Sequence, residues 1–176
     1  RDRIVDLLEG LATRLPPTAH RIRLLLGENG EPEVKASVLE QGQPGHICLA
    51  RKPIDTKDVF LYHKTTLRAV YEQALAEAPG YDDVLLWNDR GEVTESTRAN
   101  LVVDLDGERI TPPVSCGLLP GVFRSQLLAE GTVRERIVRK EDLVRCTRLC
   151  LVNSVRKMWE VELQQAGGGR PGGGKS

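Results

Sequence analysis

The sequence predicts an α+β fold in which a strongly curved, largely antiparallel sheet carries most of the core. Two observations predict it. Strand-like runs outnumber helical ones. Hairpin signals also dominate: tight turns are written at Gly27-Glu28-Asn29-Gly30, Asn88-Asp89-Arg90-Gly91 and Asp106-Gly107.

Ile4, Leu7, Leu8 and Leu11 recur at helical spacing, which predicts a helix with one buried face over residues 2–14, ended by Pro16-Pro17. Residues 21–26 and 34–39 read as a hairpin, and residues 47–51 as a short strand after the loop at 41–45. One helix and three strands bury little core alone, so residues 1–51 read as a partial small N-terminal α+β domain. The polar stretch 52–58, which contains Pro53, reads as an interdomain linker, and residues 59–166 as the large domain. There, residues 59–63 read as a strand delivering Lys64. A helix follows with Leu67, Val70, Tyr71, Ala74 and Leu75 on one face, closed by Pro79-Gly80. Further strands are expected at 83–87, 93–96, 100–105, 109–111, 132–138 and 149–153, with a last one running to about residue 163. Helices are expected from Gly121 to about Glu130 and over residues 141–146. Residues 167–176 read as a flexible Gly-rich tail.

Composition excludes several classes of function. Lys plus Arg and Asp plus Glu number 25 each, so no charge excess points to nucleic acid or an acidic membrane surface. Hydrophobic residues make up 40% of the chain, and no apolar run approaches the length of a membrane helix. No secretory signal is visible at the start. Cys48, Cys116, Cys146 and Cys150 lack CxxC spacing and disulfide-scaffold density; Cys116, Cys146 and Cys150 are expected to be free thiols in a reducing cytoplasm, and no metal site is expected.

Lys64 ends the apolar run Val59-Phe60-Leu61-Tyr62 and precedes two neutral threonines, a setting in which burial frees an amine as nucleophile and base. Its neighbour His63 falls on the opposite face of a strand and reads as structural. Glu95, taken alone, has the plain reading of an exposed strand carboxylate. Gly121 opens a helix whose backbone N–H groups suit a phosphate, or it is a cap with no ligand. Ser96, Thr97 and Asn100 read as loop-holding or turn-capping residues.

Taken in order, Tyr62-His63-Lys64-Thr65-Thr66-Leu67-Arg68, Glu95-x-x-x-x-Asn100-Leu101 and Gly121-Val122-Phe123-Arg124 resemble the motifs of the fold-type IV (class IV aminotransferase-like) pyridoxal phosphate enzymes. That family includes branched-chain and D-amino-acid aminotransferases and aminodeoxychorismate lyase, and the resemblance covers roughly residues 20–160. It implies a D-amino-acid aminotransferase-like fold and pyridoxal 5'-phosphate as cofactor. Lys64 would hold the cofactor as a Schiff base and shuttle the proton, while Glu95 would keep the pyridine nitrogen protonated. Asn100 would orient the cofactor face. The backbone N–H groups of Val122 and Phe123 after Gly121, with Asn153 and Ser154, would bind the phosphate.

Arg68, four residues past Lys64, resembles the lyase pattern more than the Gly-Asn-Tyr of branched-chain aminotransferases. As a side chain it reads as a surface or salt-bridging group. The lyase reading implies conversion of 4-amino-4-deoxychorismate to 4-aminobenzoate and pyruvate, a step toward folate. The lyase-type domain fused to aminodeoxychorismate synthase component I is the nearest pattern. A homodimer acting on a small molecule in the cytoplasm is implied. Two alternatives stay open: a class IV aminotransferase acting on branched-chain or D-amino acids, and a non-catalytic remnant of a larger synthase. The chain departs from the pattern at its start. No His-Leu-x-Arg-Leu segment precedes the first helix, and the opening strands of the small domain are missing, which reads as N-terminal truncation. Gly169 to Ser176 fits the P-loop pattern, but without a strand before it and a helix after it the stretch reads as tail.

Overall fold

The computed structural model describes residues 2–40, 42–43 and 45–164. The Gly-rich tail, its P-loop pattern, and Gln41 and Pro44 of the expected loop lie outside the described residues. The chain forms two compact units, Arg1–Gly42 and Gln43–Ser176.

The first unit holds α1 (Asp2–Ala12), β1 (His20–Leu26) and β2 (Pro32–Val38). The strands pair antiparallel from His20↔Val38 to Leu26↔Pro32. Gly30 at φ 77 makes the turn, and its N–H closes on Gly27 O at 2.9 Å. A left-handed backbone there suits glycine, as the turn signal implied.

The second unit is built on one large sheet. Its strands are β3 (His46–Leu49), β4 (Asp83–Trp87), β5 (Val93–Ser96), β6 (Asn100–Leu105), β7 (Glu108–Thr111), β8 (Arg134–Glu135), β9 (Arg148–Asn153), β10 (Lys157–Glu160) and β11 (Glu162–Gln164). Among the described residues the order is β10-β9-β6-β5-β4-β3-β11, with β7 and β8 branching from β6. The two ends of that order, β10 and β11, are successive halves of one run separated only by Val161. The curved sheet therefore closes on itself. Its hairpins are antiparallel, while β3 pairs in parallel with both β4 and β11, and β7 with β8, so the closure has a parallel side that turn signals do not announce.

Period-2 alternation sorts the side chains onto the two faces. Leu85, Leu101, Val103, Leu105 and Leu151 join one core with Ile47, Val93 and Trp159. From the same strands, Val84 and Leu86 pack with Tyr71 of α2 (Ala69–Ala76). Val102, Cys150 and Val152 pack with Leu127 of α3 (Val122–Ala129). The four cysteines are free, and burial pushes the thiols of Cys116 and Cys146 up to about 12 and about 11.

Several elements differ from the sequence reading. Residues 47–49 belong to the large sheet, so the division falls between Gly42 and Gln43 rather than at 51/52. The stretch read as a linker is a folded turn. Ile54 is buried and bridges Asn88, and Asp55 accepts from Lys57 N at 2.9 Å. Val59–Tyr62 is a 3-10 helix rather than a strand, because the Asp58 carboxylate accepts from Phe60 N at 2.9 Å and caps it. Leu67 lies before α2 and is exposed. Of residues 132–138 only Arg134–Glu135 pair as a strand. Lys140–Arg145 is a 3-10 helix where a short helix was expected at 141–146.

Candidate active site

Glu95, Asn100 and Asn153 meet at one end of the closed sheet. Glu95 pairs with Asn100 across the β5–β6 hairpin, and Asn100 pairs with Val152, beside Asn153, across β6 and β9. Two groups hold the turn between Glu95 and Asn100. The Asp83 carboxylate accepts from Thr97 N and Thr97 Oγ1, at 3.1 and 2.5 Å. Ser96 Oγ accepts from Ala99 N and donates to Ala99 O, both at 3.1 Å. Ser96 and Thr97 thus do the loop-holding work their side chains suggested.

Glu95 is 4% exposed. Its Oε1 accepts from Tyr71 Oη at 2.8 Å and from Leu119 N at 3.2 Å, and its Oε2 accepts from Asn100 Nδ2 at 3.0 Å. Burial pushes its proton affinity up to about 7 from the ordinary 4.5. The hydrogen bonds from Tyr71 and Leu119, then the charges of Lys64 and Arg68, pull the other way. A carboxylate can accept about four hydrogen bonds. Among the described residues Oε2 has one donor, so it keeps a free acceptor direction.

Asn100 links this carboxylate to α3. Its Nδ2 also donates to Leu119 O at 2.8 Å. Its Oδ1 lies against Gly121, where an added Cβ would stand only 2.2 Å away. Gly121 has φ −64 and ψ 140, open to any residue, so the close approach of Asn100 is what requires glycine there. Gly121→Ala is expected to displace the Asn100 amide and destabilise the fold by about 1–3 kcal/mol, read by urea unfolding, because the amide Nδ2 donates to both Glu95 and Leu119.

Gly121 is also the N-cap of α3 and provides no side-chain cap. The first-turn N–H groups, those of Val122 and Phe123 among them, have no acceptor inside a helix. Arg124 anchors this end of α3, its Nη2 donating to Pro112 O at 2.7 Å and to Glu135 Oε1 at 2.5 Å. After β9, Asn153 Oδ1 accepts from Val155 N and Arg156 N at 3.0 and 2.8 Å, forming a tight turn in which Ser154 is exposed. The Lys157 ammonium at the end of that turn lies 4.9 Å from the Phe123 ring centre. The turn and the start of α3 are therefore neighbours.

Lys64 lies in the irregular stretch between the 3-10 helix and α2, after an extended His63 at φ −124 and ψ 137. It is exposed, not buried behind an apolar strand. His63 is exposed too. Arg68 is more built in than a surface group. Its guanidinium donates to Thr97 O and stands 4.6 Å from the centre of the Tyr71 ring. Tyr71 and the Leu119 backbone were not singled out from sequence. Tyr71 read as one more apolar face residue, although a buried phenol needs a partner and so was itself a signal.

A buried carboxylate, a lysine whose charge reaches it and an uncapped helix start make up the candidate site. The chain belongs to the amino-transferase class IV family, whose model matches residues 1–163. Members of this family depend on pyridoxal phosphate. The chain is 32% identical to a Schizosaccharomyces pombe protein provisionally named aminodeoxychorismate lyase, over 78% of this chain and 64% of the relative. A solved structure from Mesorhizobium loti, provisionally named an amino-acid aminotransferase, superposes with a TM-score of 0.84 at 37% identity. That match covers 93% of this chain and 81% of the other. A provisionally named 4-amino-4-deoxychorismate lyase from Legionella pneumophila has the same fold, with a TM-score of 0.70 at 24% identity over 77% of this chain and 53% of that one. The chain thus spans less than two thirds of the length of the yeast relative.

The residues present fit the cofactor. The acceptor direction at Glu95 Oε2, and a buried carboxylate with no cation in salt-bridge contact among the described residues, suit a protonated ring nitrogen. The uncapped start of α3 suits a phosphate dianion.

No group of three or more His, Cys, Asp or Glu side chains is placed to hold a metal ion among the described residues. No helix among them is long and apolar enough to cross a membrane.

Proposed function

We propose that the chain carries the pyridoxal phosphate site of a 4-amino-4-deoxychorismate lyase, giving 4-aminobenzoate and pyruvate. The observation that carries the chemistry is the buried Glu95 carboxylate with one acceptor direction to spare. The choice of reaction rests on likeness to the yeast relative. Lys64 attaches the cofactor, and Glu95 accepts its ring N–H. The N–H groups of Val122 and Phe123 after Gly121, with Asn153 and Ser154, hold its phosphate. Asn100 keeps Glu95 and the start of α3 in register.

Once bound, the cofactor supplies an electron sink for the pair released at the substrate carbon bearing nitrogen. Lys64, whose amine the incoming substrate amine would displace from the cofactor, would then remove the proton from that carbon. The carbon–oxygen bond to the side chain breaks, the ring becomes aromatic, and the departing enolpyruvate takes up a proton to become pyruvate. The ionised Glu95 would hold a protonated nitrogen of the cofactor, and that positive charge would stabilise the electrons as they arrive.

A homodimer in the cytoplasm, and fusion behind aminodeoxychorismate synthase component I in a longer parent chain, belong to the same reading. A second reading, an aminotransferase acting on an amino acid, is favoured by likeness to the Mesorhizobium loti structure. It uses the same groups and ends in a keto acid. Incubation with 4-amino-4-deoxychorismate separates the two. Release of 4-aminobenzoate with equimolar pyruvate supports the lyase. Keto-acid formation from amino acids, with no 4-aminobenzoate, replaces it with the aminotransferase.

A further inference from the structure

Tyr71 has no part in the steps above, yet its position is specific. Its ring packs with Ile54, Leu61, Val84 and Leu86, a setting that phenylalanine would fill as well. What the hydroxyl adds is one bond, to Glu95 Oε1 at 2.8 Å inside the protein. Arg68 holds the same tyrosine from the other side, its guanidinium over the ring and its Nη2 on the carbonyl of Thr97 in the turn that carries Glu95. The start of α2, the phenol and the β5–β6 turn are thereby tied together around one carboxylate.

We propose that Tyr71 is the positioning residue for Glu95. Its hydroxyl fixes Oε1, turns Oε2 toward the ring nitrogen of the cofactor, and stabilises the carboxylate in the ionised form that can accept a cationic N–H. The proposal rests on the reading of Glu95 as the ring-nitrogen partner.

Donation to the charged form opposes the burial that would otherwise keep Glu95 protonated. The Tyr71 bond is the shortest of the three hydrogen bonds to Glu95, at 2.8 Å against 3.0 Å from Asn100 Nδ2 and 3.2 Å from Leu119 N, and it lowers the proton affinity of Glu95. The phenol remains a donor because burial first, then the Glu95 charge, push its own proton affinity far above the ordinary range. Asp58 acts on Tyr71 in the same direction, and Arg68 against it.

The test is an NMR titration of the Glu95 carboxyl in the cofactor-free chain, with the resonance assigned by its loss in Glu95→Gln. Tyr71→Phe should raise the midpoint by about one pH unit or more, the worth of a hydrogen bond to a charged group. Arg68→Gln should raise it by less. A fluorinated tyrosine in place of Tyr71, a stronger donor of nearly the same size, should lower it, and this arm does not depend on Tyr71→Phe folding. In the cofactor-loaded protein, Tyr71→Phe should cut kcat by about tenfold with KM within about twofold, and the acid limb of the kcat profile should move to higher pH. An unmoved Glu95 midpoint in folded Tyr71→Phe, or an effect of Arg68→Gln as large as that of Tyr71→Phe, overturns the proposal. A midpoint that moves as expected while Lys64 takes up no cofactor upholds the Tyr71–Glu95 coupling and removes the cofactor reading instead.

Discussion

Lys64→Ala is expected to abolish covalent attachment of pyridoxal phosphate and to lower turnover by at least about 1,000-fold, since both the anchoring amine and the proton carrier are lost. Stability should be almost unchanged. Lys64 is exposed, lies outside any helix or strand, and its replacement removes no packed side chain, so a shift within about 0.5 kcal/mol is expected in urea unfolding. That contrast separates a chemical role from a structural one. A large fall in stability with turnover retained would show Lys64 to be a structural residue.

Glu95→Gln has the second largest expected effect, and it shows in two measurements. In the cofactor-free chain, burial raises the proton affinity of Glu95 to about 7, above its ordinary 4.5. The folded chain therefore holds this proton more tightly than the unfolded chain does. The resulting stability is fully present below about pH 4.5 and is lost as pH rises through about 7. Glutamine carries no such proton. Between pH 4.5 and 8 the stability difference between the two chains should therefore move in favour of Glu95→Gln by about 2–3 kcal/mol, measured by urea unfolding across that range. Turnover should move the opposite way, falling by about 100-fold or more, because a neutral amide cannot stabilise a protonated ring nitrogen. A variant with an unchanged pH trend in stability would place Glu95 in a wetter setting than its contacts describe.

Much of the large sheet is written locally. The stretches 83–87, 93–96 and 100–105 lie between turn-forming residues, and each is a strand over those same residues. The reading failed where a distant contact or a single cap decided the outcome. Val59–Tyr62 is apolar enough for a strand, but Asp58 caps it into a 3-10 helix. Residues 52–58 are polar enough for a linker, yet Ile54 is pulled into the core through Asn88. The parallel pairing of β3 with β4 and β11 joins residues far apart in the chain, which no local pattern records.

The site divides in the same way. Lys64, Glu95, Asn100 and Gly121 can be proposed from the sequence because their motifs are short and ordered. The reason for Gly121 cannot, since it comes from Asn100 in three dimensions rather than from its own dihedral angles. Tyr71 and Arg68 were passed over as a core face residue and a surface cation. Their partners, Glu95 and Thr97, lie 24 and 29 residues away.

The most direct test of the Lys64–Glu95 site is borohydride reduction of the purified chain after incubation with pyridoxal phosphate, with the modified peptide located by mass spectrometry. The expected result is a phosphopyridoxyl group on Lys64 alone, absent from Lys64→Ala. Absence of label, or label spread over surface lysines with Lys64 no more modified than the rest, would contradict a cofactor site in this chain.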